Sequence, residues 1–318
     1  MEHIVFLDRG TIPKHISLPP LLFPHTLDIY QSTKPSDVTE RIKDATIVIT
    51  NKVILDSNIL KKATNLKMIA VAATGTNNID LDFCITNKIH VSNVQGYATR
   101  SVPEHVVALI FMLKRHIHSY HNDIKNGEWD KAKQFCFFTH PISDVTGATL
   151  CIIGSGFLGQ ATAALAQSIG MKVIFSERKN AEEIREGYIA FSNAIKMADV
   201  ISLHCPLTTE TINLISEKEI EQMKSTAILI NTSRGGIVDE LALVKGLHTN
   251  QLGGAGVDVF TEEPATCNNP LIANMNLPNL VLTPHIAWGS DTSLTRLVER
   301  LFDNISGFVS GIAINRVI

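Results

Sequence analysis

The stretch TLCIIGSGFLGQATAALAQSIGMKVIFSERK, residues 149–179, decides the fold. A short apolar run of β-strand composition leads directly into Gly154, Gly156 and Gly159, and an alanine-rich helical pattern follows. In such a strand–turn–helix unit the first glycine permits a tight turn, the second lets the backbone approach a pyrophosphate, and the third lets the helix pack on the strand. The helix N-terminus adds N–H groups and a positive dipole end. We therefore predict a dinucleotide-binding turn; a glycine-rich turn that binds no nucleotide is the alternative.

The residues after the second strand of this unit bear on cofactor choice. Glu177 stands where a carboxylate can accept hydrogen bonds from the adenosine ribose hydroxyls and would repel a 2′-phosphate, which favours NAD. Arg178 and Lys179 follow at once and could pair with that phosphate if Glu177 turned away, so NADP stays possible. Phe157 and Leu158 fill the positions between the second and third glycines and complete the predicted cofactor turn.

Length and charge narrow the class of protein. A chain of 318 residues predicts about two domains. With 28 Lys and Arg against 31 Asp and Glu, the net charge of −3 provides no basic field for nucleic acid or anionic lipid. The segment MEHIVFLDRG lacks the features of a secretory signal and no apolar run reaches membrane-spanning length, so we expect a cytoplasmic protein. The five cysteines are widely spaced without a CxxC pair, which argues against a disulfide framework and a metal site.

Apolar strand-like runs alternate with helical patterns almost throughout the chain. Such alternation is typical of an α/β fold in which parallel sheets are covered by helices. The runs are HIVFLD (3–8), ATIVIT (45–50), KMIAVAA (67–73), TLCIIG (149–154), MKVIFS (171–176), DVISLH (199–204), AILINT (227–232) and GGAGVD (253–258).

One long helix is expected from SVPEHVVALIFMLKRHIHSYHND, residues 101–123. Ser101 and Glu104 have the spacing of a capping box, and Pro103 suits a first helical turn. The helix is apolar on almost every face up to Lys114. It is either buried against another domain or subunit, or an interior helix of a monomer.

Three further segments place polar side chains where parallel strands should end, which is where open α/β sheets bind ligands. They are NTSRGGIVDE with Arg234, GVDVFTEEP with Glu263, and LTPHIAWGS with His285. Together with AATGTNNID (72–80), LHCPLTTET (203–211) and the glycine turn, they resemble the D-isomer-specific 2-hydroxyacid dehydrogenases over nearly the whole chain. Trp288, in HIAWGS, is most similar to the glycerate dehydrogenase, or hydroxypyruvate reductase, branch.

The resemblance implies an NAD-dependent enzyme that moves a hydride between nicotinamide and carbon 2 of a small D-2-hydroxy acid. His285 would be the acid/base, because imidazole titrates near neutrality. Glu263 would hydrogen-bond the second ring nitrogen, and Arg234 would bind the carboxylate and carbonyl oxygen with its planar fork. The expected pair is hydroxypyruvate and D-glycerate, with glyoxylate as a smaller substrate.

The resemblance also implies an organisation and a wider site. Two doubly wound, Rossmann-like domains are expected: a split substrate domain, 1–98 plus 288–318, and an inserted NAD-binding domain, 99–287. A homodimer would form through the 101–121 region. The further cofactor-binding residues would be Cys205, Pro206, Thr211, Thr232 and Asp258. The further substrate-binding residues would be Asn51, Lys52, Thr74, Gly75, Thr76 and Trp288.

Two other functions stay open on the sequence. A D-lactate or broader 2-ketoacid reductase would differ only in the shape of the side-chain pocket. A dinucleotide-sensing corepressor or scaffold would keep the fold without the reaction. The presence of Arg234, Glu263 and His285 together favours an enzyme, because a sensor does not need a proton-transfer group.

Overall fold

The computed structural model describes residues 1–312 and 314–318. The chain forms two compact units, one from Met1–Tyr97 with Gly289–Ile318 and the other from Ala98–Trp288. Each unit is built on a parallel β-sheet with helices in the connections. The α/β fold with two parallel sheets, predicted from the alternating pattern, is confirmed. In the described part of the chain, no helix is long and apolar enough to cross a membrane.

The first unit contains a five-stranded sheet in the order β2-β1-β3-β4-β5. Its strands are β1 Glu2–Phe6, β2 His25–Ile29, β3 Ile47–Thr50, β4 Met68–Val71 and β5 His90–Ser92. Its first three helices are α1 Val38–Ile42, α2 Ser57–Leu60 and α3 Leu81–Thr86. Every residue of β3 and β4 is buried, because a central parallel strand is covered on both faces.

The second unit contains a seven-stranded sheet in the order β12-β11-β10-β9-β6-β7-β8. Its strands are β6 Thr149–Ile153, β7 Lys172–Ser176, β8 Tyr188–Ile189, β9 Val200–Leu203, β10 Ile228–Asn231, β11 Gly254–Val257 and β12 Leu280–Leu282. Its helices are α4 Ser101–Lys114, α5 Ile117–Lys125, α6 Glu128–Ala132, α7 Phe157–Ser168, α8 Phe191–Met197, α9 Glu217–Ile220, α10 Glu240–His248 and α11 Pro270–Ala273. The chain then returns to the first unit as α12, Asp291–Val309.

The register of the second sheet brings the predicted polar segments to one edge. Ile153 pairs with Ser176 and with Leu203, so the glycine turn and Glu177 leave the sheet together. Asn231 pairs with Leu203 and with Val257, and Val257 pairs with Leu282. The segments after β9, β10, β11 and β12 therefore begin at this same carboxyl edge.

The single helix predicted over 101–123 is wrong in two details. The chain breaks it at His116, whose φ of 48° is left-handed, so that α4 and α5 are separate helices. The capping box is also absent from α4: Ser101 is already helical, and its hydroxyl donates to the carbonyl oxygen of Ala287 at 2.6 Å. Within its own unit α4 packs against α7 and strands β10 to β12.

Candidate active site

The glycine turn has the geometry that a bound pyrophosphate requires. Gly154 has a φ of +100°, and a Cβ there would lie 2.6 Å from the backbone nitrogen of Cys205. A Cβ on Gly159 would lie 2.0 Å from the carbonyl oxygen of Gly154, so the helix approaches the strand as closely as backbone allows. Around Gly156 a Cβ would meet no described atom within 4 Å, and α7 begins there without an acidic residue in its first turn. An anion fits this uncrowded helix N-terminus.

The rest of the glycine turn is exposed or partly exposed. Phe157 presents most of its ring to solvent, whereas Leu158 is half-buried. Both predicted turn residues form the start of α7, directly after Gly156.

Glu177 lies at the same edge of the sheet but is engaged by an arginine that the sequence reading missed. The guanidinium of Arg185 donates from Nε to Oε2 at 2.6 Å and from Nη2 to Oε1 at 2.8 Å. This ion pair, with help from the backbone N–H of Arg178, lowers the pKa of Glu177 to about 2. The neighbouring Arg178 side chain is exposed, while Lys179 pairs with Glu219 at 2.9 Å.

The loops after β9 and β10 carry four of the other predicted cofactor residues. The carbonyl oxygen of Cys205 accepts the hydroxyl of Ser233, which ties the two loops together. Thr211 donates its hydroxyl to the carbonyl oxygen of Pro206 at 2.7 Å and so closes its own loop. Thr232 is buried, and within residues 1–312 and 314–318 its hydroxyl has no hydrogen-bond partner. Such an orphaned polar atom favours a site that a ligand completes.

His285 and Glu263 meet directly. Nδ1 of His285 lies 2.7 Å from Oε2 of Glu263, and the other carboxylate oxygen accepts the backbone N–H of Phe260 at 3.0 Å. The imidazole is about a quarter exposed, and among the described residues its Nε2 has no hydrogen-bond partner. One ring nitrogen is thus held by a carboxylate while the other remains available to a ligand.

Asp258 holds the loop that carries His285. Its carboxylate is fully buried and accepts the backbone N–H groups of Ile286 and Ala287, both at 2.9 Å, and the hydroxyl of Thr283. Its own carbonyl oxygen accepts the N–H of His285 at 2.7 Å. These bonds fix His285 in a left-handed backbone conformation with a φ of 55°, which a non-glycine residue rarely adopts.

A second histidine extends this network. Nε2 of His105, on α4, lies 3.0 Å from the hydroxyl oxygen of Thr283. Burial lowers the pKa of His105, and the charge of Asp258 opposes that effect. Sequence reasoning missed His105 and Thr283; the polar His105 on an otherwise apolar helix was the available signal.

Arg234 follows β10 on a turn that packs against the segment leading to Glu263. A Cβ on Gly235 would lie 1.8 Å from the carbonyl oxygen of Phe260, so only glycine permits this approach. The Arg234 guanidinium donates to the carbonyl oxygen of Ser233 at 2.7 Å. Over the described ranges it forms no ion pair with a carboxylate, which leaves its charge available to an anionic ligand.

Trp288 completes the His285 loop. Its indole Nε1 donates to the carbonyl oxygen of His285 at 2.8 Å, so the ring is tied to the backbone of the proposed acid/base.

The predicted substrate residues of the first unit follow β3 and β4. Backbone N–H groups of Asn51 and Lys52 donate to the carboxylate of Asp8 at 2.9 and 2.7 Å. The hydroxyl of Thr74 donates to the carbonyl oxygen of Val94 at 2.7 Å, and Gly75 and Thr76 continue that loop. Asp8 was missed, although an acidic residue directly after the first apolar strand was a visible signal.

Across residues 1–312 and 314–318, no group of three or more His, Cys, Asp or Glu side chains has the spacing to hold a metal ion.

The chain is similar to known proteins over nearly its whole length. Residues 107–287 match the family model described as D-isomer specific 2-hydroxyacid dehydrogenase, NAD binding domain. The chain is 49% identical, over 96% of its length and 98% of the relative, to a Haemophilus influenzae protein provisionally named a 2-hydroxyacid dehydrogenase. It is 42% identical to the glycerate dehydrogenase of Methylorubrum extorquens, over 98% of this chain and 97% of that one.

A solved structure supports the same assignment. The D-lactate dehydrogenase of Aquifex aeolicus, complexed with NAD and lactic acid, superposes with a TM-score of 0.81 at 28% identity and covers 97% of this chain and 96% of that one. The chain therefore belongs to the D-isomer specific 2-hydroxyacid dehydrogenase family, in its glycerate dehydrogenase-like branch. It is an NAD-dependent oxidoreductase.

Proposed function

We propose that this enzyme interconverts hydroxypyruvate and D-glycerate with NAD(H), and that it also reduces glyoxylate. The observation that carries the proposal is the imidazole of His285, held at Nδ1 by Glu263 and available at Nε2. The identity of 42% to a glycerate dehydrogenase supports this substrate over other 2-hydroxy acids.

The proton transfer is assigned to His285. When bound, NAD supplies the hydride chemistry of the reaction. In the oxidative direction Nε2 accepts the proton of the C2 hydroxyl, and in the reductive direction the imidazolium returns a proton to the carbonyl oxygen. Glu263 keeps the ring in one orientation, because its carboxylate accepts the Nδ1 hydrogen in both protonation states.

Substrate orientation is assigned to Arg234. Its guanidinium can bind a carboxylate through two parallel N–H groups and polarise the neighbouring C2 carbonyl. The half-buried position after β10 and the absence of a competing carboxylate among the described residues support this role. The chain thereby fixes the reacting carbon before the chemical step begins.

The remaining predicted residues divide between the two units. We assign substrate binding to the first unit, through Asn51, Lys52 and the loop 74–76, and cofactor binding to the second. Asp258, whose carboxylate accepts three hydrogen bonds from its loop, would add a contact to the nicotinamide carboxamide through about one remaining acceptor position. Trp288, tied to the His285 loop, would shape the pocket for the hydroxymethyl group of hydroxypyruvate.

The assembly is a separate proposal. We infer a homodimer formed through the 101–121 region, where Phe111 and Ile117 expose 38% and 54% of their surfaces. Light scattering on the purified chain measures its mass directly; a monomer at micromolar concentration contradicts this assembly. The cytoplasmic location stays a prediction of the sequence.

A substrate panel tests the function. Purified protein is supplied with NADH and, in turn, hydroxypyruvate, glyoxylate, pyruvate and phenylpyruvate, and loss of absorbance at the NADH band is recorded. We expect the highest kcat/KM for hydroxypyruvate and a lower one for glyoxylate. Faster turnover of pyruvate or phenylpyruvate would assign the chain to the D-lactate or broader 2-ketoacid reductases. Binding of NADH without turnover of any keto acid would favour the sensor or scaffold.

A further inference from the structure

The carboxylate of Glu177 has its hydrogen-bonding capacity filled by the protein itself. Oε1 accepts the backbone N–H of Arg178 and Nη2 of Arg185, both at 2.8 Å. Oε2 accepts the backbone N–H of Arg185 at 3.2 Å and Nε of the same side chain at 2.6 Å. A carboxylate offers about four acceptor positions, and these four donors occupy them. The side chain is only 3% exposed.

Contacts with Tyr188 and Glu177 hold the Arg185 side chain in one position. Its guanidinium lies 3.9 Å above the ring of Tyr188, and the hydroxyl of Tyr188 donates to the hydroxyl oxygen of Ser155 at 2.6 Å. Ser155 belongs to the glycine turn, so the Glu177–Arg185 pair is connected through Tyr188 to the phosphate-binding segment. A two-point ion pair stacked on an aromatic ring holds one geometry better than a single surface contact.

The ion pair between Glu177 and Arg185 changes the net charge that the adenosine end of a cofactor would meet after β7. An uncovered carboxylate at Glu177 would attract ribose hydroxyls and repel a 2′-phosphate. Here the carboxylate is neutralised and faces Arg185, whose guanidinium is half exposed. Of the adjacent cations, Lys179 is paired with Glu219, whereas Arg178 is exposed and forms no ion pair with the described residues.

Exposed acidic side chains accompany these cations: Glu182, Glu183 and Glu186 lie in the same segment as Arg185, and Glu210 lies near Arg178. Glu210 has a pKa lowered mainly by the hydroxyl of Thr208 and, to a smaller extent, by the charge of Arg178. Because Glu210 is exposed, solvent screens its effect on a ligand at Arg178.

We propose that Arg185 is the specificity-determining residue for the cofactor: by covering Glu177 it removes the charge that rejects a 2′-phosphate, so that Arg178 and Arg185 accept NADP(H) as well as NAD(H). The proposal concerns the adenosine end of the cofactor, so it does not depend on which 2-hydroxy acid is the substrate.

The test measures binding of NADH and NADPH to the whole purified protein without substrate, by calorimetry or nucleotide fluorescence. Wild-type protein should bind the two with dissociation constants within about tenfold of each other, about 1.4 kcal/mol. Arg185→Ala uncovers Glu177 and should weaken NADPH binding by at least about tenfold relative to NADH. Arg178→Ala should weaken NADPH binding while changing NADH binding by less than about twofold.

Lys172→Ala is the matched control. It removes one exposed positive charge from the start of β7, at the opposite end of the strand from Glu177, and should leave the NADPH to NADH ratio unchanged. Circular dichroism and melting temperature establish that each variant is folded. If Arg185→Ala does not fold, the wild-type protein is titrated with adenosine 2′,5′-bisphosphate and with 5′-AMP, and the bisphosphate should bind at least as tightly.

Several results would overturn the proposal. Wild-type protein that binds NADPH more than about a hundredfold more weakly than NADH would show that the site rejects the 2′-phosphate. An equal loss of both nucleotides in Arg185→Ala would make Arg185 a structural residue without a role in selection. Weaker binding of the bisphosphate than of 5′-AMP would have the same meaning. A failed keto-acid panel with normal nucleotide binding would instead contradict the proposed function alone.

Discussion

Asp8 in the first unit and Asp258 in the second occupy comparable places in two different sheets. Each is buried and lies just beyond a parallel strand, β1 or β11. Each accepts backbone N–H groups from the loop that follows a neighbouring strand: Asp8 from residues 51–53, and Asp258 from Ile286 and Ala287. In both units a buried carboxylate therefore fixes a loop that carries predicted site residues.

The two carboxylates differ in what they hold. The loop at Asp8 carries Asn51 and Lys52, whereas the loop at Asp258 carries His285 in a left-handed conformation. Asp258 also receives the Thr283 hydroxyl, which is shared with His105. The second loop stores backbone strain that its carboxylate must offset, and the residue under strain is the proposed acid/base. We infer that substitution of Asp258 lowers the rate of the chemical step. Substitution of Asp8 instead weakens substrate binding and lowers the free energy of unfolding.

The largest effect is expected from removing the group that the second loop presents. His285→Ala should lower kcat by about two to four orders of magnitude, the usual range for loss of acid/base catalysis. The NADH dissociation constant should stay nearly unchanged. Steady-state kinetics at neutral pH measure the first quantity and nucleotide fluorescence the second. An active His285→Ala enzyme would require a different proton donor.

The next largest effect is expected from Arg234→Lys. Arg234 would act on the substrate through its own side chain, whereas Asp258 acts by holding a loop. Lysine keeps the positive charge but loses the two-point fork, so kcat/KM for hydroxypyruvate should fall by about 10²-fold. Steady-state kinetics should show both a higher KM and a lower kcat. A variant with wild-type kcat and only a raised KM would restrict Arg234 to ground-state binding.

Asp258→Asn tests whether the Asp258 carboxylate holds the His285 loop in position. An asparagine can place an NH₂ group against the N–H of Ala287, where the present oxygen accepts, so the His285 loop should shift. Misplacement on the order of an ångström can cost up to about 10²-fold in rate, and we expect a loss of about 10- to 100-fold in kcat. Activity equal to wild type, with an unchanged melting temperature, would contradict the positioning role of Asp258.

Asp8→Asn should have a smaller effect on rate. The loop at 51–53 loses acceptors for its N–H groups, which should destabilise the fold by about 1–3 kcal/mol. KM for hydroxypyruvate should rise more than kcat falls. Urea unfolding and steady-state kinetics measure the two effects. A loss of kcat as large as that of Asp258→Asn would remove the functional difference between the two carboxylates.

The smallest effect is a pH dependence of stability at Asp8. Burial raises the pKa of Asp8 above 3.8, against the opposing effect of its N–H donors. The folded state then binds a proton more readily than the unfolded chain, so this group contributes stability below its unfolded pKa that is lost as pH rises through the folded one. The difference in unfolding free energy between wild type and Asp8→Asn should therefore be larger near pH 4 than at pH 7. An equal or smaller difference near pH 4 would contradict the raised pKa.

Much of the fold could be predicted from the sequence, because its strands appear as apolar runs of neighbouring residues. The eight apolar runs predicted as strands all contain strands, since central parallel strands must be apolar on both faces. Strands β2, β5, β8 and β12 were not predicted. They are peripheral in their sheets, and β8 has only two residues, so pairing with a neighbour defines them more than their own composition does.

The candidate site likewise contains residues that the sequence predicted and residues that it missed. Glycines 154, 156 and 159 and the residues Arg234, Glu263 and His285 stand in recognisable segments. Arg185, Asp8 and His105 do not, because each acts through a partner distant in sequence: eight positions for Glu177, and far more for Asn51 and Thr283. Hydrogen bonds of this kind depend on tertiary structure, which sequence pattern does not encode locally.

The return of the chain to its first unit through α12 has a consequence for biosynthesis. Ala98–Trp288 is continuous and holds all seven strands of its sheet, so this unit can fold as soon as it leaves the ribosome. Met1–Tyr97 emerges earlier, but α12, with its buried Leu297, Leu301 and Ile305, packs against β4 of that unit and is translated last. The unit that is translated first therefore completes its fold last. Its apolar surface is the one that a chaperone would have to shield during translation.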